Sequence, residues 1–242
     1  MRLDKLLAHS GFGTRKEVKE LIKKGFVCVN GQVEKKDKAQ VNPEVDLVEV
    51  DGEKIEYQEF VYYMLNKPAG YVSATEDNLY PTVVELIDEY YRDDLFPVGR
   101  LDLDTEGLLL MTNDGVLAHQ LLSPKKHCPK VYQAKIKGIV DEKDVETFQN
   151  GVVIDGEYQC QSAILKIQHI DEAMKTSEIE VTIYEGKFHQ VKKMFLAVGK
   201  EVTYLKRICM KNLVLDSSLA LGEYRRLTDE ELDRLKNDSV LQ

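Results

Sequence analysis

The strongest constraint on this chain of 242 residues lies between Gly99 and Gly115. Gly99-Arg100-Leu101-Asp102-Leu103-Asp104-Thr105-Glu106-Gly107 sets charged residues between two glycines. The apolar run Leu108-Leu109-Leu110-Met111 follows directly, closed by Asn113-Asp114-Gly115. Four apolar residues bounded by turn formers read as a buried strand entering a turn. Such a strand holds the preceding loop rigidly, and a rigid loop can aim a carboxylate. Acidic residues commonly do no more than solvate a surface loop. Asp102, Asp104, Glu106 and Gly107 also imitate the first half of a calcium-binding loop. That reading fails because Asn113 stands where a bidentate Glu is required, and the residues between are apolar. A third reading is an aspartate placed for chemistry.

Composition narrows the function classes. Hydrophobic content of 43% and charged content of 31% fit a globular chain. The N-terminus is charged from the start and no run reaches membrane-spanning length, so a cytoplasmic protein with no membrane partner is expected. Cys28, Cys128, Cys160 and Cys209 lie far apart without a Cys-x-x-Cys pair. Reduced thiols and no metal site are therefore expected. The sequence holds no phosphate-binding loop or dinucleotide fingerprint, so no cofactor is expected.

The net charge of -9 hides an uneven distribution. Residues 1–40 hold ten Lys and Arg against five acids, and residues 41–60 hold one Lys against seven acids. Residues 123–137 carry five Lys and no acid, and residues 186–212 carry seven Lys and Arg against Glu201 alone. Three basic segments in an acidic chain fit a local footprint for a polyanion.

The order of elements predicts an α+β protein with a small helical hairpin unit at residues 1–58 and a larger unit at 59–242 built on a mainly antiparallel central sheet. In the first unit Leu3, Leu6 and Leu7 share a helical face. Thr14 and Glu17 form a capping-box pattern for a helix whose inner face is Val18, Leu21 and Ile22. A strand through Val27 and Val29, the turn Asn30-Gly31 and a return strand follow. The acidic tract 44–59 reads as a linker or edge hairpin. The second unit opens with a strand at Phe60–Leu65 and a turn at Asn66–Gly70. A capped helix follows from Thr82, with Val83, Leu86, Ile87 and Tyr90 inward. Further helices are expected near 115–122, ending at Ser123-Pro124, and at 141–150, 188–198 and 228–236. Strands are expected at 130–139, up to about 184, and at 202–215.

Gly-Arg-Leu-Asp-x-x-Thr-x-Gly-Leu-Leu-Leu resembles the catalytic signature of the pseudouridine synthases that act on ribosomal RNA. The resemblance covers nearly the whole chain. The N-terminal segment is similar to an S4 RNA-binding domain through Arg2-Leu3-Asp4-Lys5-Leu6-Leu7, Thr14-Arg15-Lys16 and Val27-x-Val29-Asn30-Gly31. It implies that Arg15, Lys16, Lys19 and Lys23 track RNA phosphates, whereas periodicity alone shows only a solvated basic stripe.

The resemblance assigns the reactive carboxylate to Asp102 and leaves Asp104 at a variable position. Glu185-Gly186-Lys187-Phe188-His189-Gln190-Val191-Lys192-Lys193-Met194 resembles the motif that supplies a cationic partner. Val191, Met194, Phe195 and Val198 mark the buried face of that helix, which puts Lys192 off the stripe as the ion partner. Lys187 and Lys193 are then left for phosphate, and His189 reads as a structural hydrogen-bonding group. In Lys130-Val131-Tyr132 the tyrosine matches a family position where the ring packs on the extruded uracil. Arg100 takes an auxiliary role where the nucleotide leaves the stack. Lys67-Pro68-x-Gly70 matches an opening motif read as loop support. Lysine stands where the family pattern has arginine at 187, 192 and 193, and lysine cannot make a bidentate fork.

Tyr63–Pro68, Ser123–Cys128 and Gly222–Arg225 point within the family toward the enzymes of the small ribosomal subunit. The resemblance thus implies a cofactor-free, monomeric isomerase of uridine 516 in 16S ribosomal RNA, free or in a partly assembled particle. A 23S-directed synthase and a non-catalytic RNA-binding assembly factor are the alternatives. A glycoside hydrolase needs two carboxylates facing a sugar, which Asp102 and Asp104 on one short segment do not offer.

Overall fold

The computed structural model describes residues 1–55, 59–89, 94–123 and 126–237. They fall into two compact units, Met1–Val61 with Asp88–Asp94, and Tyr62–Ile87 with Leu95–Gln242. The expected boundary at residue 58, the inward-facing Tyr90, and Pro124 and Lys125 lie outside the described residues.

In the first unit, helices α1 (Leu3–His9) and α2 (Arg15–Lys24) pack on a small antiparallel sheet. Thr14 and Glu17 complete a reciprocal capping box, and Gly25 ends α2 with φ 83°. Strands β1 (Val27–Val29), β2 (Gln32–Val33), β3 (Val48–Val50) and β4 (Glu53–Lys54) run in the order β2-β1-β3-β4. Asn30 and Gly31 both have positive φ, as do Asp51 and Gly52, which is what tight two-residue hairpins demand. Part of the acidic tract is therefore a hairpin whose first strand pairs with β1. Leu3, Leu6, Leu7, Val18, Ile22 and Val27 form the core, while Leu21 is only half-buried.

Among the described residues, the second unit is built on a sheet of nine strands. It opens with β5 (Tyr62–Lys67), all of whose side chains are buried. The strand runs two residues past the expected end, because Lys67 finds carbonyl partners inside the protein. Thr82 and Glu85 form the expected capping box, but it opens only a 3₁₀ turn at Val83–Leu86, with Val83, Val84 and Ile87 inward. Next come β6 (Phe96–Pro97), β7 (Glu106–Thr112) and α3 (Gly115–Leu122), whose first turn is capped by Asp114. Strand β8 (Lys130–Lys137) leads to the capped helix α4 (Glu142–Asn150). The short pair β9 (Val153–Ile154) and β10 (Tyr158–Gln159) precedes the long strands β11 (Ile164–Asp171) and β12 (Thr176–Ile183). Helix α5 (Gln190–Ala197), β13 (Glu201–Met210), β14 (Leu213–Val214), β15 (Tyr224–Arg226) and α6 (Asp229–Lys236) complete the chain.

The sheet order is β11-β12-β8-β13-β7-β5-β15, with β14 on β13 and β6 on β7. Its pairs are antiparallel except β13 with β7, which meet in parallel where Lys206 and Arg207 face Glu106 and Gly107. Gly107 is required there: its φ is 101°, and a Cβ would strike the Arg207 carbonyl oxygen. Met64, Leu108, Leu110, Leu117, Leu121 and Met210 build a core on one side of the sheet. The rings of Phe148 on α4 and Phe195 on α5 pack 4.8 Å apart. No helix among the described residues is long and apolar enough to cross a membrane.

Candidate active site

The loop from Gly99 to Thr105 is held by its backbone at Leu101, Asp102, Leu103 and Thr105. Gly99 turns it with φ 78°. Ser73 Oγ donates to the Leu101 carbonyl and accepts from the Leu101 amide, both at 3.0 Å. The Gly70 amide donates to Leu103 O at 2.7 Å, and the Thr105 amide donates to Asp102 O at 3.1 Å. Beneath the loop Lys67 is fully buried. Its Nζ donates to the carbonyls of Pro68 (3.0 Å), Asp102 (3.1 Å) and Thr105 (2.8 Å), with Leu103 at 3.4 Å. Burial lowers the Lys67 pKa to about 8, against the pull of Asp104, Asp102 and Glu106. The Lys-Pro motif is thus a backbone clamp for the loop.

Helix α5 brings the cation. Val191, Met194 and Phe195 are buried, Val198 is half-buried, and Lys192 comes off that stripe. Its Nζ lies 3.2 Å from Asp102 Oδ2 and 2.6 Å from Asp104 Oδ1. Partial burial works against its charge, but hydrogen bonds with Asp104 and Asp102 outweigh that and raise the ammonium pKa. Partial burial likewise opposes the charge on Asp104, yet the Lys192 hydrogen bond holds that carboxyl below its usual range. A lysine serves here because two carboxylates on one loop share a point charge with several donors, a task that needs no fork. The Asp102 side chain is 25% exposed and that of Asp104 71%, so Asp102 faces the protein and Asp104 the solvent.

His189, just before α5, has φ 53° and puts Nε2 3.7 Å from Asp102 Oδ1. Its ring stacks on Phe188 at 3.8 Å, and Phe188 is 67% exposed. Sequence reading took His189 as structural, and only the left-handed backbone turn, which leaves no periodic signal, brings it to Asp102.

Asp102 lies on the wall of a cavity of about 560 Å³, also lined by Arg100, Tyr132, Lys187, Phe188, His189, Lys130, Tyr158, Glu185 and Arg207. The alternation of β8 buries Tyr132, Ala134 and Ile136 together. Of the residues singled out from sequence, the fold brings Asp102, Lys192, Tyr132, Arg100 and Lys187 to this one place. Lys187 is exposed, with Nζ 4.4 Å from the Tyr158 ring centroid. Lys193 instead pairs with Asp155 at 2.6 Å. Arg15, Lys16, Lys19 and Lys23 belong to α2 in the other unit, where Lys19 lies 3.8 Å from Asp37 and Arg15, Lys16 and Lys23 are exposed.

Two buried groups went unread in the sequence. Glu185 accepts from Tyr158 OH (2.7 Å), the Gln161 amide (2.8 Å) and Gln190 Nε2 (2.8 Å). The hydrogen bond to Glu185 pushes the Tyr158 pKa up to about 12. Arg207 donates from Nε to Leu108 O at 2.8 Å and is otherwise enclosed in the wall. Strand register turns Arg207 inward, and Glu185, in the bend after β12, is turned inward by the donors that Tyr158, Gln161 and Gln190 bring to it. Among the described residues, no group of three or more His, Cys, Asp or Glu side chains could hold a metal ion, and Cys128 and Cys160 are buried free thiols.

A family model for RNA pseudouridylate synthases matches residues 61–197, and one for the S4 domain matches residues 1–47. An uncharacterized RNA pseudouridine synthase of Bacillus subtilis is 52% identical over 97% of this chain and 98% of its own length. The ribosomal large subunit pseudouridine synthase B of the same organism is 40% identical over 97% of this chain and 95% of its own. The ribosomal small subunit pseudouridine synthase A of Escherichia coli K12 is 39% identical over 96% and 98%. A crystal structure of a pseudouridylate synthase, 37% identical, superposes with a TM-score of 0.67 over 97% of this chain and 99% of that one.

Proposed function

This chain belongs to the RNA pseudouridylate synthase family, and from that premise we propose that it converts one uridine of 16S ribosomal RNA, uridine 516, to pseudouridine. Residues 1–58 are the RNA-docking unit in this reading and residues 59–242 the catalytic one. The observation that carries it is the Asp102 carboxylate on a clamped loop, 3.2 Å from the Lys192 ammonium, at the wall of a pocket that also holds Tyr132.

Making pseudouridine requires breaking the C1′–N1 bond, turning the base and joining C1′ to C5. The net reaction is an isomerisation without redox change. Asp102 supplies the negative oxygen that meets C1′ as the bond to N1 breaks, and the bonding electron pair leaves with the ring. Lys192, 3.2 Å away, pairs with that carboxylate and aims it. Tyr132 packs on the uracil while it turns; after the new bond forms the C5 proton is released to solvent and N1 takes one up, so the product is neutral pseudouridine. Extruding a nucleotide costs a few kcal/mol, so Arg100 and Lys187 at the pocket support the displaced strand while the α2 cations hold flanking phosphates.

The test uses purified protein on transcripts of both ribosomal RNAs, with chemical mapping of the product. Wild type yields pseudouridine at one site of the small-subunit RNA. Asp102→Asn binds the same RNA with affinity unchanged within about threefold and yields none, a loss of at least about 10³-fold. Substantial product from Asp102→Asn contradicts the assigned role. Product only in the large-subunit RNA favours the second reading, to which similarity to a large-subunit enzyme lends weight. RNA binding with no product in either leaves an assembly factor.

A further inference from the structure

Arg207 is a buried cation of the pocket that the chemistry above leaves unused. It is 2% exposed, donates from Nε to Leu108 O, and has an Nη2 buried without any hydrogen-bond partner. Among the described residues it forms no ion pair with a carboxylate. Glu185, the buried carboxylate of the same pocket, is already taken up by Tyr158, Gln161 and Gln190. Lys130, also in the wall, has its pKa lowered by burial, with the Arg207 charge adding to the effect. This end of the pocket is therefore rich in positive charge and short of acceptors. Folded proteins pair their buried donors, and one left unpaired on a residue that lines a cavity can take an acceptor brought by a ligand.

Register says where that acceptor would lie. Arg207 on β13 is the cross-strand partner of Tyr132 on β8, so the two residues stand side by side on one sheet face, and both line the pocket. The parallel pairing with Gly107 fixes β13 against the strand that follows the Asp102 loop. An RNA strand is a continuous polymer, so an extruded nucleotide enters base first while its phosphates stay at the rim. Lys187 and Arg100 are exposed and suit phosphate, whereas Arg207 is enclosed and can be met only by the base.

We propose that Arg207 is a catalytic residue whose guanidinium donates to a carbonyl oxygen of the target uracil. The proposal rests on the reading of the site given above. When the C1′–N1 bond breaks, its electron pair passes to the ring and spreads onto O2 and O4. Arg207 holds that charge by hydrogen bonding and keeps its own protons. The charge is withdrawn when C5 bonds to C1′; the proton that C5 then releases passes to solvent and N1 takes one up, which gives neutral pseudouridine. Tyr132 and Arg207 thus divide the base between them, the ring face to one and an oxygen to the other.

The experiment measures single-turnover pseudouridine formation with enzyme in excess, on RNA carrying uridine, 2-thiouridine or 4-thiouridine at the target. Wild type, Arg207→Gln and Arg207→Lys are compared, with thermal melting to confirm folding. Removing a donor aimed at developing charge slows Arg207→Gln by about 10²- to 10³-fold, with RNA affinity unchanged within about threefold, and Arg207→Lys recovers part of the rate. Sulfur is a weak acceptor, so one of the two thio substitutions slows wild type about tenfold and Arg207→Gln hardly at all. Additive losses at both oxygens, or an Arg207→Gln rate within threefold of wild type, overturn the proposal. If Arg207→Gln does not fold, the same comparison is made with Arg207→Lys.

If wild type makes no pseudouridine from any RNA, the functional reading fails by itself. The contact is then judged by affinity for RNA with uridine against an abasic site at the target. A preference for uridine that Arg207→Gln loses supports it, and one that Arg207→Gln keeps overturns it.

Discussion

Two arginines of the larger unit show how differently a fold treats a cation. Arg225 on β15 donates from Nε to Asp216 at 2.6 Å, from Nη1 and Nη2 to Glu231 at 2.8 Å, and from Nη1 to the Arg226 carbonyl at 3.0 Å. Its acceptors are held in turn. Asp216 accepts from Ser218, which with Arg225 presses its pKa to about 2, and Glu231 closes the capping box of α6. Arg207 has one backbone acceptor and a buried Nη2 left over. A region that only holds the fold together satisfies its donors internally. A region built for a ligand leaves a donor unpaired beside a cavity, and the Asp102 pocket is of that second kind.

The first way to break this contrast is through Lys192. Replacing it with Met strips Asp102 of its cation, and single-turnover product formation should fall by about 10²-fold or more, with Lys192→Arg restoring most of it. Melting temperature should move less than for Arg225→Ala, because Lys192 meets its carboxylates through one ammonium, and its shorter contact is with Asp104, which is 71% exposed. A large loss of stability with little loss of rate would place Lys192 with Arg225 among the structural cations.

Arg225→Ala is the converse. Removing it leaves Asp216 and Glu231 without their common partner, and denaturant unfolding should show a loss on the order of 2 kcal/mol with the rate per folded molecule within about threefold. Hydrogen bonds from Arg225 lower the Glu231 pKa below its ordinary 4.5. That contribution is present above the ordinary value and is lost as pH falls through the depressed one, so the gap between wild type and Arg225→Ala should narrow in acid.

Lys67 sharpens the comparison from the other side, as a cation buried to clamp a loop. Its pKa of about 8 in the fold lies below the ordinary 10.5. Between those values the unfolded chain binds more protons, so this group adds stability as pH rises, at most about 1.4 kcal/mol per pH unit. Stability measured from pH 8 to 10.5 should climb more steeply for wild type than for Lys67→Met, and parallel curves would contradict the assignment. The smallest effect is expected on α2. Lys19→Gln and Lys23→Gln should each weaken RNA binding by about 1 kcal/mol or less and reduce the magnitude of the salt-dependence slope by about one, with the catalytic rate unchanged at saturating enzyme.

Much of this was legible in the sequence where one short-range rule decides. The capping boxes at Thr14 and Thr228 open helices, and the apolar spacing of α5 alone sets Lys192 off the buried face. The rule failed at Thr82, where the same capping box opens only a 3₁₀ turn and the chain leaves it extended at Ile87. It failed at β5 because a lysine at the end of an apolar run reads as exposed, whereas buried Lys67 finds, besides the Pro68 carbonyl, those of Asp102, Leu103 and Thr105 on a distant loop. Arg207 and Glu185 were illegible for the same reason. A basic neighbour hides Arg207 in sequence, and only pairing across the sheet shows which way it points, whereas Glu185 sits in the bend after β12 and meets its donors only in the fold. Short-range pattern places the elements, and long-range pairing decides which charges are kept from water.

The most direct test of the central claim is chemical mapping of pseudouridine across both ribosomal RNAs from cells lacking this protein, complemented with wild type or with Asp102→Asn. The account predicts that one site in the small-subunit RNA loses its pseudouridine, that wild type restores it, and that Asp102→Asn does not. Full modification in the deleted strain, or restoration by Asp102→Asn, would contradict it.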